Sequence, residues 1–243
     1  MSEKCLNCNS LTENNFCSAC GQKNSTRRFS LKYFIFHDFI NGAFNLDKGF
    51  FFTIKQLFTK PGHNIREYVQ GKRVGYLSPF TTIIIIIGIG YFFGGFIKDK
   101  ELSRIDQEFE GFSKVTRDYA KFVALSWIPF YALTSYLLFK KSRQNYSENL
   151  ILNMYMIAGI LVIEGIFSIA VFPYTRGKVL DNAMGILTLS KIAYMFWFYY
   201  QYFAVNYKRF NLIVRSIAVV FIILLLTKFI AQIVNTIGLT YFQ

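Results

Sequence analysis

Four cysteines stand near the start of the chain as Cys5-Leu6-Asn7-Cys8 and Cys17-Ser18-Ala19-Cys20. Each Cys-x-x-Cys turn aims two thiolates at one point, and two such turns complete a tetrahedral four-sulfur shell. This donor set and spacing predict one zinc ion. With cysteine at all four positions no coordination site stays open, so the expected metal is structural rather than catalytic. Gly21 follows Cys20 and Asn9 follows Cys8, the residue types that best tolerate left-handed backbone. Phe16 is expected to cap a core too small to fold without metal. Two disulfides or four free thiols are the other readings. Disulfides need an oxidising compartment, and the charge pattern below puts these cysteines in the cytoplasm.

A second set of residues sits inside apolar segments. Glu164, Lys191 and Lys228 each interrupt a long hydrophobic run. At about 1.5 Å rise per residue, all three are expected roughly 10–15 Å below the outer boundary of a bilayer, where they could meet. Ionisable groups at such depth face the bundle interior or a wet cavity and pair with one another. The favoured reading is a Glu–Lys pair that locks two helices while the other lysine snorkels outward. The sharper one is a cavity for an anionic group, with Asn182, Ser190, Gln232 and Asn235 as polar lining. Catalytic machinery is not expected. The two histidines, His37 and His63, lie outside the apolar runs, and no G-x-S-x-G, P-loop or H-E-x-x-H pattern occurs.

The elements that position these groups follow from composition. The 243 residues are 53% hydrophobic and 19% aromatic, with a formal net charge of +13. That apolar content suits a small polytopic membrane protein. The basic residues flank apolar runs, so the expected partners are anionic lipid headgroups of the inner leaflet rather than nucleic acid. The polar, cysteine-bearing N-terminus has no short apolar core of a cleaved signal peptide. Hydropathy predicts an all-α membrane protein with about five transmembrane helices, near 77–97, 122–139, 149–173, 184–205 and 216–238. The expected organisation is a zinc ribbon (1–22), a basic linker with amphipathic juxtamembrane helices (23–76), and a helical transmembrane domain (77–243).

Within 23–76, residues 22–28 read as a short polar linker. Leu46, Phe50, Ile54, Leu57 and Phe58 recur at helical spacing, and Leu31–Ile40 offers a shorter aromatic helix. Such helices lie either on the inner leaflet or against protein, and a hydrophobic stripe alone does not separate the two. Pro61 suits the first turn of a helix over about 61–70, and Gly71 its C-terminal cap. Tyr76 is expected at headgroup depth, with Pro79 starting the first span. Arg66, Lys72 and Arg73 read as positive-inside anchors, or as contacts to a phosphate-bearing headgroup.

Loop charges set the orientation. The first 76 residues hold 11 Lys+Arg against 5 acids. Lys140, Lys141 and Arg143, then Lys208, Arg209 and Arg215, fall on the same side. Residues 98–121, on the other side, balance six basic residues with six acidic ones. The expected topology is N-terminus in and C-terminus out. The run Tyr194–Tyr200 with Tyr202 would form an aromatic belt at the inner interface. Gly90 and Gly94 permit close helix packing, within the chain or in a homo-oligomer.

The chain resembles an uncharacterised family of bacterial integral membrane proteins with an N-terminal zinc ribbon. The residues that carry the resemblance are Cys5, Cys8, Cys17, Cys20-Gly21, Pro61-Gly62, Arg66-Glu67-Tyr68, Gly71-Lys72-Arg73, Tyr76 and Pro79. Asn9 departs from the glycine usual in such knuckles. The resemblance implies a bacterial inner-membrane location and a zinc ribbon, and it implies no activity. The expected function is therefore a non-enzymatic scaffold or anchor whose cytoplasmic ribbon binds a protein partner. The alternative is a small transporter or lipid-handling protein with an anion site near Glu164, Lys191 and Lys228.

Overall fold

A computed structural model of the chain describes residues 3–26, 28–30, 49–90, 125–171 and 178–241. Two short strands, β1 (Glu3–Lys4) and β2 (Leu11–Thr12), pair antiparallel, with Glu3 opposite Thr12 and Lys4 opposite Leu11. An isolated bridge joins Phe16 to Lys23. The rest of the described chain is helical: α1 (Gly49–Thr59), α2 (Pro61–Gln70), α3 (Pro79–Gly90), α4 (Ile128–Leu138), α5 (Tyr146–Val171), α6 (Lys178–Phe203) and α7 (Arg209–Tyr241).

Local chemistry explains most of the boundaries. Pro61 opens α2 where no N–H is needed, and Gly71 closes it in left-handed backbone at φ 118°. The Gly71 and Lys72 N–H groups then reach back to the Tyr68 and Glu67 carbonyls. Ser78 caps α3 by accepting the Thr81 N–H at 3.2 Å. Asn145 and Glu148 form a reciprocal capping box at the start of α5. The Asn145 side chain accepts the Glu148 N–H at 2.8 Å, and the Glu148 carboxylate accepts the Asn145 N–H at 2.9 Å. That box starts α5 three residues before the expected Asn149.

The count of five spans is not supported. Among the described residues two helices are long and apolar enough to cross a membrane, Tyr146–Val171 of α5 and Arg209–Phe229 of α7. α4 is only 11 residues, roughly 16 Å, against about 30 Å of hydrocarbon core. Leu125 and Ser126 are helical as well, and a break at Trp127, two residues before Pro129, separates them from α4; residues 122–124 of the expected span lie outside the described residues. Pro129 lacks an N–H and its ring opposes the carbonyl four residues earlier, so Trp127 forms a turn where the expected span would continue. α6 has the length but carries tyrosines, Gln201 and Lys191, which lower its apolarity. The first expected span continues past Gly90, outside the described residues, as do Gly94, Leu46 and the run Leu31–Ile40.

The core forms where α1 and α2 pack into α5 and α6, with α4 against α5 and α7 against α4 and α6. Tyr155, Phe198, Tyr199, Tyr202 and Phe203 are fully buried there. Tyr194, Phe198, Tyr199 and Tyr202 of the expected aromatic belt therefore pack inside the protein, while Phe196, Trp197 and Tyr200 stay half-buried. The buried hydroxyls find partners inside the protein: Tyr194 donates to the Leu57 carbonyl at 3.2 Å, and Tyr199 donates to Asn153 Oδ1. α1 packs one edge against protein, with Leu57 fully buried and Phe58 against Tyr194, and leaves Phe51 exposed on another. Tyr76 packs edge-on against Phe52 and Tyr68 rather than standing alone at a boundary.

The long helices are covered only in part. Just 33% of the most apolar stretch of α5 and 28% of that of α7 is buried within the protein. Ile166, Ile169, Ile217, Phe221 and Leu225 remain exposed. An uncovered apolar surface of this kind calls for an apolar surrounding or a partner.

Candidate metal centre and its attachment to the helical body

The two cysteine knuckles repeat one backbone pattern. The Asn9 N–H donates to the Cys5 carbonyl at 2.9 Å, and the Gly21 N–H to the Cys17 carbonyl at 2.8 Å. The Cys5 N–H donates to Ser10 O and the Cys17 N–H to Gln22 O, each five residues on. Both turns close through left-handed backbone, with φ 62° at Asn9 and 75° at Gly21. Asparagine thus replaces glycine in the first knuckle without altering the turn.

All four cysteines are free, and their Sγ atoms lie within 4.8 Å of one another. Cys5 and Cys20 approach to 3.6 Å, and Cys8 and Cys17 to 3.5 Å. These separations are too long for a disulfide. A tetrahedral four-thiolate site with metal–sulfur bonds of about 2.3 Å spaces its sulfurs by roughly 3.8 Å, so the residues present fit a metal ion. Ser10, through side chain and backbone, holds the Cys8 thiol down at about 6. The Gln22 backbone favours the Cys20 thiolate, but desolvation and the sulfurs of Cys8, Cys5 and Cys17 push it up to about 12. A cation held among the four sulfurs would favour their thiolate forms and offset the mutual repulsion. Phe16 does not cap this centre; it is 58% exposed.

The ribbon is clamped to the helices. Leu6 of the first knuckle lies against Gly71, where an added Cβ would come within 2.7 Å of it. The side-chain oxygen of Gln22, which is buried, accepts the Arg73 N–H at 3.1 Å. The Arg73 guanidinium lies 3.6 Å above the Phe29 ring, which stacks on Tyr68. Asn145 donates to the Phe29 carbonyl at 2.8 Å, and Arg28 pairs with Glu148. The segment read as a linker is a strap, held at its described residues by α2 and α5.

This geometry occupies two of the expected headgroup contacts. Arg73 serves the strap, and Lys72 pairs with Glu67 at 2.7 Å. Arg66 is half-buried on α2, with Nε and Nη1 shielded and without a hydrogen-bond partner among the described residues. Glu164 on α5 and Lys191 on α6 form an ion pair at 2.9 Å. Lys228 is exposed and has no ion-pair partner among the described residues. The three charges form one Glu–Lys pair between α5 and α6 and a separate exposed lysine, the arrangement of the favoured reading, and not a shared three-charge cavity.

Sequence reasoning passed over a buried polar chain joining α4, α5 and α6. Ser135 donates to Asn149 Oδ1 at 3.0 Å, Asn153 donates to Ser135 Oγ at 2.9 Å, and Tyr199 donates to Asn153 Oδ1 at 2.5 Å. Asn149 and Asn153, four residues apart on one helix face, were the available signal.

Residues 47–90 match a family model described as "Protein of unknown function (DUF3667)". The match covers α1 to α3 and lies downstream of the cysteine knuckles. It agrees with an uncharacterised family and extends to less than half of the chain. No curated protein matches the chain, and no solved structure does.

Proposed function

We propose that this protein is a multi-pass bacterial inner-membrane protein that works as a non-enzymatic scaffold. Its N-terminal ribbon holds one structural zinc in the cytoplasm and presents a fixed surface to a protein partner. The observation that carries this reading is the clamped ribbon with outward apolar side chains. Leu11 and Phe16 are 65% and 58% exposed, while Leu6, Gln22, Arg28 and Phe29 hold the ribbon and strap to the body. Apolar side chains displayed on a ribbon fixed in position give a partner protein a contact it can bury. The three basic stretches also meet at one end of the bundle. Arg28 reaches the Arg143 carbonyl and Glu148, and the Lys141 N–H reaches Tyr207. This supports one inner face. α5 and α7 would cross the bilayer from that face, and the 26-residue α6 would carry the chain back between them, with the shorter helices packed around them.

The test uses full-length protein in its native membrane with a photo-crosslinking residue at position 16. One zinc per chain by elemental analysis and a discrete crosslinked protein are expected. Cys5→Ser with Cys8→Ser should abolish both while the chain still resists alkaline extraction from the membrane. A zinc-free native protein, or a crosslink indifferent to loss of the cysteines, would sink the reading.

A further inference from the structure

At the end of the bundle where the basic stretches meet, a cavity of about 650 Å³ opens between the turn after α4 and the start of α7. Lys140, Lys141, Lys208 and Arg215 line it together with Tyr207 and Asn211. These cations come from two separate parts of the chain. The fold brings the parts together, because the Lys141 N–H donates to the Tyr207 hydroxyl at 2.9 Å and Arg215 donates to the Leu138 carbonyl. The Arg215 guanidinium also lies over the Tyr207 ring at 5.2 Å, so one wall of the cavity is held in place.

Nothing acidic balances this charge among the described residues. Glu67, Glu148 and Glu164 are paired elsewhere, with Lys72, Arg28 and Lys191, and no carboxylate lines the cavity. The first turn of α7 adds unsatisfied N–H groups and the positive end of a 33-residue helix. Four like charges around one hollow repel one another, and a bound anion relieves that repulsion.

Apolar surface begins at the cavity with Leu137, which lines it and is exposed, and continues on the outer faces of the two helices that flank it. α4 and α7 run antiparallel, tied at one end by Arg215 to Leu138 and further along by Tyr131 to Thr227 at 2.9 Å. Val214, Ile217, Phe221 and Leu225 recur along an exposed face of α7, and Leu133 and Leu137 along one of α4. From Val214 to Leu225 this surface runs roughly 16 Å, comparable with one leaflet of hydrocarbon. We infer that this cavity binds the phosphate ester of an anionic phospholipid, with the acyl chains lying along the α4–α7 face. The lipid as the source of the phosphate rests on the membrane placement proposed above. Recognition of phosphate by the four cations does not.

The test titrates detergent-solubilised full-length protein with phosphatidylglycerol, with phosphatidylcholine and with inorganic phosphate, read by native mass spectrometry. A saturable one-to-one phosphatidylglycerol adduct is expected. Lys140→Ser with Lys208→Ser, both at exposed positions, should weaken it about tenfold or more, whereas Lys55→Ser with Lys60→Ser should leave it unchanged. Circular dichroism of both variants confirms that the fold is kept. A lysine-dependent adduct with inorganic phosphate that phosphatidylglycerol does not displace would keep the phosphate site and overturn the lipid. Equal weakening in both variants, or no saturable adduct with any probe, would overturn the site, because attraction would then be diffuse.

Discussion

Arg28 holds Glu148 in a two-point grip, Nε to Oε1 and Nη2 to Oε2, the latter at 2.9 Å. It joins the ribbon's exit strap to the first turn of α5, across 120 residues of chain. Glu148 at the same time accepts the Asn145 N–H. One buried carboxylate therefore both caps α5 and anchors the strap.

Arg28→Ala should free the strap. Glu148 keeps its cap but loses its cation, and a loss of about 1–2 kcal/mol is expected after screening of the exposed guanidinium. Trypsin should then cut after Lys23 faster than in the parent protein. Unchanged melting together with unchanged cleavage would show that the grip adds nothing.

The Pro61-Gly62 pair should be intolerant of change. A Cβ on Gly62 would meet the Phe198 carbonyl oxygen at 2.2 Å and the Tyr202 nitrogen at 2.3 Å, backbone atoms of α6 that cannot swing away. Gly62→Ala is expected to cost about 3 kcal/mol or more. Gly88→Ala meets nothing within 4 Å and should be neutral or stabilising by up to about 1 kcal/mol. Similar losses of melting temperature in the two variants would refute the close α2–α6 contact.

Asn153→Ala should leave the Tyr199 hydroxyl without its acceptor and Ser135 without a donor in a buried site, costing about 1–3 kcal/mol for each stranded group. Tyr199→Phe alone should cost about 1 kcal/mol. A double-mutant cycle should show the pair to be coupled, as hydrogen-bonded neighbours are. Strict additivity of the two losses would mean that the chain of polar groups is not formed.

Alkaline titration should report on Tyr76. Desolvation by burial, with the Glu67 charge nearby, pushes its hydroxyl up to about 12. In the unfolded chain the same group ionises near pH 10. Below that pH both states carry the proton and stability is level. Between about pH 10 and 12 only the unfolded state loses it, so stability should fall as pH rises. Tyr76→Phe should make that fall shallower in a series of melts, and an unchanged slope would place the effect elsewhere.

Much was legible where local chemistry sets the outcome. The cysteine spacing predicted the four-sulfur cluster, and Asn9 and Gly21 predicted its left-handed turns, because a knuckle is decided within five residues. Pro61 and Gly71 marked α2 to the residue for the same reason. The capping box Asn145–Glu148 was equally readable and would have moved the start of α5. Pro129, visible in the sequence, likewise marked the break at Trp127 inside the second expected span.

The rest depended on what each apolar or charged side chain would find in space. Hydropathy reports how much a segment avoids water and is silent on whether lipid or protein replaces it. So Tyr194, Tyr199 and Tyr202 read as a boundary belt but fill the core, where carbonyl and amide partners satisfy their hydroxyls. Depth counting put Glu164, Lys191 and Lys228 at one level. A Glu–Lys pair with one lysine outward was the favoured reading, and helix rotation and packing decided that Lys191 is the partner and Lys228 the outward one. By itself the sequence determined the cysteine knuckles, the helix caps and the apolar character of the body. Only the tertiary structure decided that the ribbon is strapped to α2 and α5 and that Lys140, Lys141, Lys208 and Arg215 share one cavity. Contacts across 50 to 120 residues depend on how whole helices pack, and no local pattern encodes them.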